Sequence, residues 1–131
     1  MTDANVRSLL KEAKNSSGSF SAEVDQVPFL RGKKFLFLKV GEDYFIVGDD
    51  SGEHWVTFSV PASLEEDGPH TVKKYAGGLA WQVMIKKEVE DVLSGSATVT
   101  FENDRTRVKG EIDFVLVSGK KVTGKFDVWN V

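Results

Sequence analysis

Odd and even positions differ in character over the last third of the chain. Three stretches, Ala97–Phe101, Arg107–Val117 and Lys121–Trp129, alternate apolar with polar residues. One set comprises Ala97, Val99 and Phe101, then Val108, Ile112, Phe114 and Leu116, then Val122, Phe126 and Val128. A period of two with one apolar face is what half-buried antiparallel strands require. The phase also predicts a register. With Ser118-Gly119-Lys120 as a three-residue turn, Val117 pairs with Lys121, Leu116 faces Val122 and Ile112 faces Phe126. Gly119 supplies the left-handed residue such turns use, and a slip of one residue would turn inward side chains outward. This register sets Asp113 opposite Lys125, a favourable pair, and Glu111 opposite Asp127, an unfavourable one. Cross-strand pairs are worth about 0.2–1 kcal/mol each, so burial rather than charge decides the expectation.

The earlier chain carries the same signal more loosely. Ser19–Val24 puts Phe20, Ala22 and Val24 on one face, and Val27-Pro28-Phe29 follows as a strand for which an edge suits Pro28. Lys34–Val40 and Tyr44–Val47 are apolar on both faces, the mark of central or covered strands and a hint of a homodimer interface. In His54–Val60, His54, Val56, Phe58 and Val60 share one face while Trp55, Thr57 and Ser59 share the other. Thr71–Tyr75 is a short strand, and Leu79–Ile85 sets Leu79, Trp81, Val83 and Ile85 inward. Lys87–Leu93 reads as a loop or a single helical turn. Ahead of the strands, Thr2 or Asp3 caps a helix to about Lys14 with Val6, Leu9, Leu10 and Ala13 on one face, ended by Asn15-Ser16-Ser17-Gly18.

Eight or nine short strands with turn signals every 8–12 residues predict an all-β fold, an antiparallel two-sheet β-sandwich over 19–131 preceded by the helix and linker of 1–18. A closed, lipocalin-like barrel is the alternative. At 131 residues the chain is large enough for one self-sufficient core. A net charge of −3, with lysine pairs scattered along the chain, argues against nucleic acid as partner. The absence of cysteine removes disulfides and thiolate metal sites. The first residues lack the apolar core of a signal peptide, and no apolar run is long enough to span a bilayer, so a cytoplasmic location without membrane attachment is expected.

Candidate chemistry is sparse. No nucleophile elbow, phosphate loop or zinc-protease helix occurs. His54 reads as a strand-end residue and His70 as a loop residue. The cluster Asp49, Asp50, Glu53 and His54 lacks the alternating ligand positions of a calcium loop and reads as turn chemistry. Glu111 and Asp113, with Asp127 across from them, read as a solvated charged face rather than the cleft that paired-carboxylate catalysis needs. These readings predict no catalytic residue, no metal and no cofactor. Trp55, Trp129 and Tyr75 point away from the core face and are the candidate ligand contacts, because a ring on a flat sheet stacks a sugar or base at low entropic cost. The competing reading is that the N-terminal helix covers them with Leu9 and Leu10.

The chain resembles a loose family of small bacterial β-sandwich domains, many borne on lipoprotein leaders. The residues that carry the resemblance are Phe20-x-Ala22-x-Val24-Asp25, Gly68-Pro69-His70-Thr71-Val72, Gly95-Ser96-Ala97-Thr98-Val99-Thr100-Phe101, Val108 to Phe114 and Val122 to Val128. The resemblance implies a two-sheet antiparallel fold and no established activity. The leading expectation is a non-enzymatic binding or protein-interaction module for a protein, small-molecule or glycan ligand. The alternative is a carrier of a small apolar ligand, with Phe35, Phe37, Phe45 and Trp81 lining an internal cavity.

Overall fold

The computed structural model describes residues 16–75 and 81–130; the helix expected before Lys14 lies outside them. Ten strands follow one another: β1 (Ser16–Val24), β2 (Val27–Arg31), β3 (Lys34–Val40), β4 (Asp43–Asp49), β5 (Trp55–Pro61), β6 (His70–Lys73), β7 (Gln82–Ile85), β8 (Glu88–Glu102), β9 (Arg107–Leu116) and β10 (Lys121–Asn130). All pairings are antiparallel. The order β10-β9-β8-β7-β5-β4-β3-β1 closes because β1 also pairs with β10 over its whole length. Ser16 marks the seam, facing Asn130 on one side and Phe35 on the other. β2 runs on from the same strand line as β3 and pairs with β1, and β6 pairs with the second half of β8.

The result is a closed eight-stranded barrel and not the two-sheet sandwich expected first. Alternation is the same in both architectures, since each has one buried face per strand; what separates them is whether strands can coil far enough to meet. The fifteen-residue β8 does the coiling. Its register against β9 shifts between Val92 and Ser94, a bulge that bends the strand. Gly95 follows at φ +126°, where an added Cβ would lie 2.2 Å from the Asp113 carbonyl oxygen, so only glycine fits the bend.

Two local expectations are corrected. From Glu88 onward the stretch expected as a loop or helical turn is the start of β8, with Val89 opposite Met84. The tight turn that makes this hairpin places Lys86 and Lys87 both at positive φ, a conformation that Asn-Gly advertises and Lys-Lys does not. The β9–β10 register is shifted by two residues from the expected one: Phe114 faces Val122 and Ile112 faces Gly124. A two-residue shift preserves the inward phase, so the hydrophobic pattern could not tell the registers apart. The charges favour the observed register, which sets Glu111 opposite Lys125 and Lys109 opposite Asp127.

The barrel interior is a core of aromatic rings. Phe58 lies within 5.3–6.5 Å, centroid to centroid, of Phe20, Phe126, Phe114 and Trp81, and Phe37 stacks on Phe101. Gly48 leaves the space that the Phe20 ring occupies, 2.5 Å from where its Cβ would stand. Eight strands enclose just enough room for side chains to fill. A second buried cluster, Leu36, Phe45, Val47, Trp55 and Met84, lies on the outer side of β3, β4, β5 and β7. Phe45 therefore belongs to the outer wall and not to an internal lining. At one end, Arg105 donates to the carbonyl oxygens of Ala62, Leu64 and Glu66 and lies over the Phe101 ring, pinning the segment after β5 across the barrel mouth.

Candidate groove on the outer wall

On the outside of β1, β10, β9 and β8 the wall dips into a groove of about 580 Å³. Alternation explains its walls: residues that do not face the core must face outward. Ser21 and Glu23 from β1, Thr123 and Lys125 from β10, Glu111 and Asp113 from β9, and Ser96 and Thr98 from β8 stand around it. Ala22, Gly124 and Ile112 sit side by side across the three strands and form the floor. Pro28 of β2 adds a rim where the register of β1 against β2 shifts at Ala22. Among the described residues, no hydrogen bond or ion pair engages the side chains of Glu23, Glu111, Asp113 or Lys125. Three carboxylates and one ammonium leave the groove net acidic, suited to a cationic group flanked by hydroxyl contacts.

The sequence placed Glu111 and Asp113 on an outward, solvated face, which is where they are. The groove needs four strands side by side, one from the start of the chain and three from its end. Closure brings Glu23 next to Thr123, and nothing in local periodicity reports that contact. The adjacent small residues Ala22 and Gly124 were the available signal.

The three candidate aromatic contacts are not brought together. Trp55 faces outward as expected, yet it is 0% exposed and so presents no ring to a ligand. Trp129 is 37% exposed, with the Arg107 guanidinium 4.9 Å from its ring centroid. Such a cation–π contact holds the indole in place and occupies one face. Tyr75 is half-buried against Trp81 and lines a second groove of about 570 Å³ with Lys39, Asp43 and Ser63. Its hydroxyl donates to Asp43 Oδ1 at 2.6 Å and lies 3.3 Å from Ser59 Oγ. Burial, then the Asp43 hydrogen bond, pushes the phenol up to about 12, so it stays protonated and serves as a donor rather than a base.

The turn between β4 and β5 spends its acids on its own backbone. Asp49 Oδ1 accepts from the Ser51 N–H, and Asp50 Oδ1 from the N–H groups of Gly52 and His54. Asp50 Oδ2 lies 2.7 Å from His54 Nδ1, and the His54 ring meets Phe29 edge to face. His70 Nε2 lies 3.0 Å from the Glu66 carbonyl oxygen. Both histidines thus have local partners.

Two carboxyls are held below the usual range. For Asp50, desolvation acts upward but is outweighed by the His54 and backbone donors. For Asp127, the Arg107 hydrogen bonds dominate, in a fork with Nε to Oδ1 at 2.8 Å and a second nitrogen to Oδ2 at 2.5 Å. A folded pKa below the unfolded one adds stability that is present above the unfolded value and is lost as pH falls through the folded value. Urea unfolding should therefore show stability declining below about pH 4. Asp127→Asn should flatten that decline while lowering stability at pH 7.

No family model, curated protein or solved structure matches the chain. The reading of function rests on the groove, the filled interior and the buried wall. Among the described residues no helix is long and apolar enough to cross a membrane.

Proposed function

We propose that the protein is a non-enzymatic binding module that takes a cationic segment of a partner protein in the groove over β1, β10, β9 and β8. The observation that carries this reading is a concavity of about 580 Å³ on the outside of a barrel whose inside is occupied by rings. Its unpaired Glu23, Glu111 and Asp113 supply attraction, and the hydroxyls of Ser21, Ser96, Thr98 and Thr123 supply orientation. Attraction between exposed charges falls with salt, so the binding should weaken as ionic strength rises.

The test is a calorimetric titration with lysine- and arginine-rich peptides, acidic peptides and neutral oligosaccharides. Basic peptides should bind, and Glu111→Gln with Asp113→Asn should weaken them at least about tenfold, which is 1.4 kcal/mol. Equal binding of acidic peptides, or no change in the double variant, would contradict the groove.

One observation favours the carrier reading as a second possibility. The Trp81 indole Nε1 is buried with no hydrogen-bond acceptor among the described residues, at a cost of about 1–3 kcal/mol. A small apolar guest bearing a carbonyl oxygen would answer it. Lipophilic probes that quench Trp81 and leave the groove resonances unmoved would favour the interior.

A further inference from the structure

The charges on the wall of β1, β10, β9 and β8 fall into rows, because outward residues of neighbouring strands stand side by side. Towards the β8–β9 turn they are spent on one another: Arg107 forks onto Asp127, and Lys109 bridges to Glu102. Next along the strands, the register sets Ser21, Lys125, Glu111 and Thr98 in one line, so Lys125 stands directly opposite Glu111. The following line holds Glu23, Thr123, Asp113 and Ser96, edged by Pro28 of β2 and Lys73 of β6. Of these rows it alone sets two carboxylates about a hydroxyl, and its base, Lys73, stands two strands beyond Asp113.

We infer that the basic segment taken by this groove crosses the strands in a polyproline II conformation, with basic residues three apart in its sequence seated over Glu23 and Asp113. The inference rests on the reading of the groove as a site for a cationic segment. Spacing is the first argument. Two strand spacings of about 4.8 Å put Glu23 and Asp113 about 9.6 Å apart. A polyproline II helix repeats every three residues with a rise of about 3.1 Å, so residues i and i+3 share a side about 9.3 Å apart. An α-helix brings i and i+4 within about 5–6 Å, and a β-strand returns to the same side after about 6.8 Å. Neither spans the two carboxylates in one repeat. Polarity is the second argument. The polyproline II backbone makes no internal hydrogen bonds, so its carbonyls are open to the Thr123 and Ser96 hydroxyls between and beside the carboxylates. Charge is the third: Lys125 repels a cation placed over Glu111 and so directs it to the Glu23–Asp113 row.

The test is a calorimetric titration of the full chain, at low salt, with proline-rich peptides of one length and two lysines each. The lysines are set adjacent, two apart or three apart, so that net charge is constant and spacing alone varies. The three-apart peptide should bind about threefold to fivefold more tightly than the others, the gain of one further exposed ion pair. Glu23→Gln, a conservative change at an exposed position, should erase that preference. Equal affinity of the three peptides for the unsubstituted protein, which needs no variant to fold, would overturn the inference and leave the groove standing. A preference that survives Glu23→Gln would do the same. No binding by any basic peptide would remove both the inference and the groove reading beneath it.

Discussion

Phe58→Ala is expected to cost about 3–5 kcal/mol of folding stability, the range for deleting a fully buried phenylalanine. Phe58 is 0% exposed and meets four other rings, so the hole it leaves is bounded by Phe20, Trp81, Phe114 and Phe126. Those rings come from β1, β9 and β10 and from the residue before β7, and cannot collapse together without moving the strands that carry them. Ring pairs add about 0.5–1.5 kcal/mol beyond their area, which pushes the estimate to the upper half of the range. Urea unfolding should show a lower midpoint with an unchanged slope. A loss below about 1.5 kcal/mol would mean a loosely filled interior, and would favour a cavity there after all.

Gly95→Ala is expected to do comparable damage by a different route. Its φ of +126° is closed to residues with a Cβ, and that Cβ would stand 2.2 Å from the Asp113 carbonyl oxygen of the neighbouring strand. Backbone strain of this kind costs about 1–3 kcal/mol before any clash, so a loss of about 3 kcal/mol or more, or failure to fold, is the expected outcome. Gly119→Ala is the matched control: φ is +91° there, but nothing lies within 4 Å of the added atom. It should cost only about 1 kcal/mol. Equal losses at the two positions in thermal unfolding would show that crowding at the β8 bend does not matter.

The contrast between these glycines explains what the sequence could convey. Strand identity and facing were legible because alternation reports the environment of each residue: Phe20, Phe58, Phe114 and Phe126 all point inward as their phase requires. Closure was not legible, because a sandwich and a barrel demand the same alternation. The distinguishing residues are single glycines inside strands, and Gly95 can be read as a bend only once Asp113 is known to lie against it. The turn at Lys86-Lys87 escaped because its residues are poor advertisements for positive φ. The β9–β10 register was off by two because hydrophobic phase repeats every two residues, and the charge pairing that separates the options was the weaker term.

The candidate site divides along the same line. Facing was right for Trp55, but facing is not exposure: periodicity says which side of a strand a residue occupies, not what stands over it. The double-sided apolar run of β4 did signal a covered strand. The groove was invisible because Glu23 and Thr123 pair across strands a hundred residues apart in sequence, and only the closing pair β1–β10 puts them on one surface.

That closing pair admits a direct test in a labelled sample by nuclear Overhauser contacts from the backbone of β1. Ser16 should show contacts to both Asn130 and Phe35, and Ser21 to both Lys125 and Arg31, in a sample that light scattering shows to be monomeric. Contacts to one side only, with the other edge of β1 exchanging freely with water, would mean an open sheet and would remove both the ring-filled interior and the groove built across the seam.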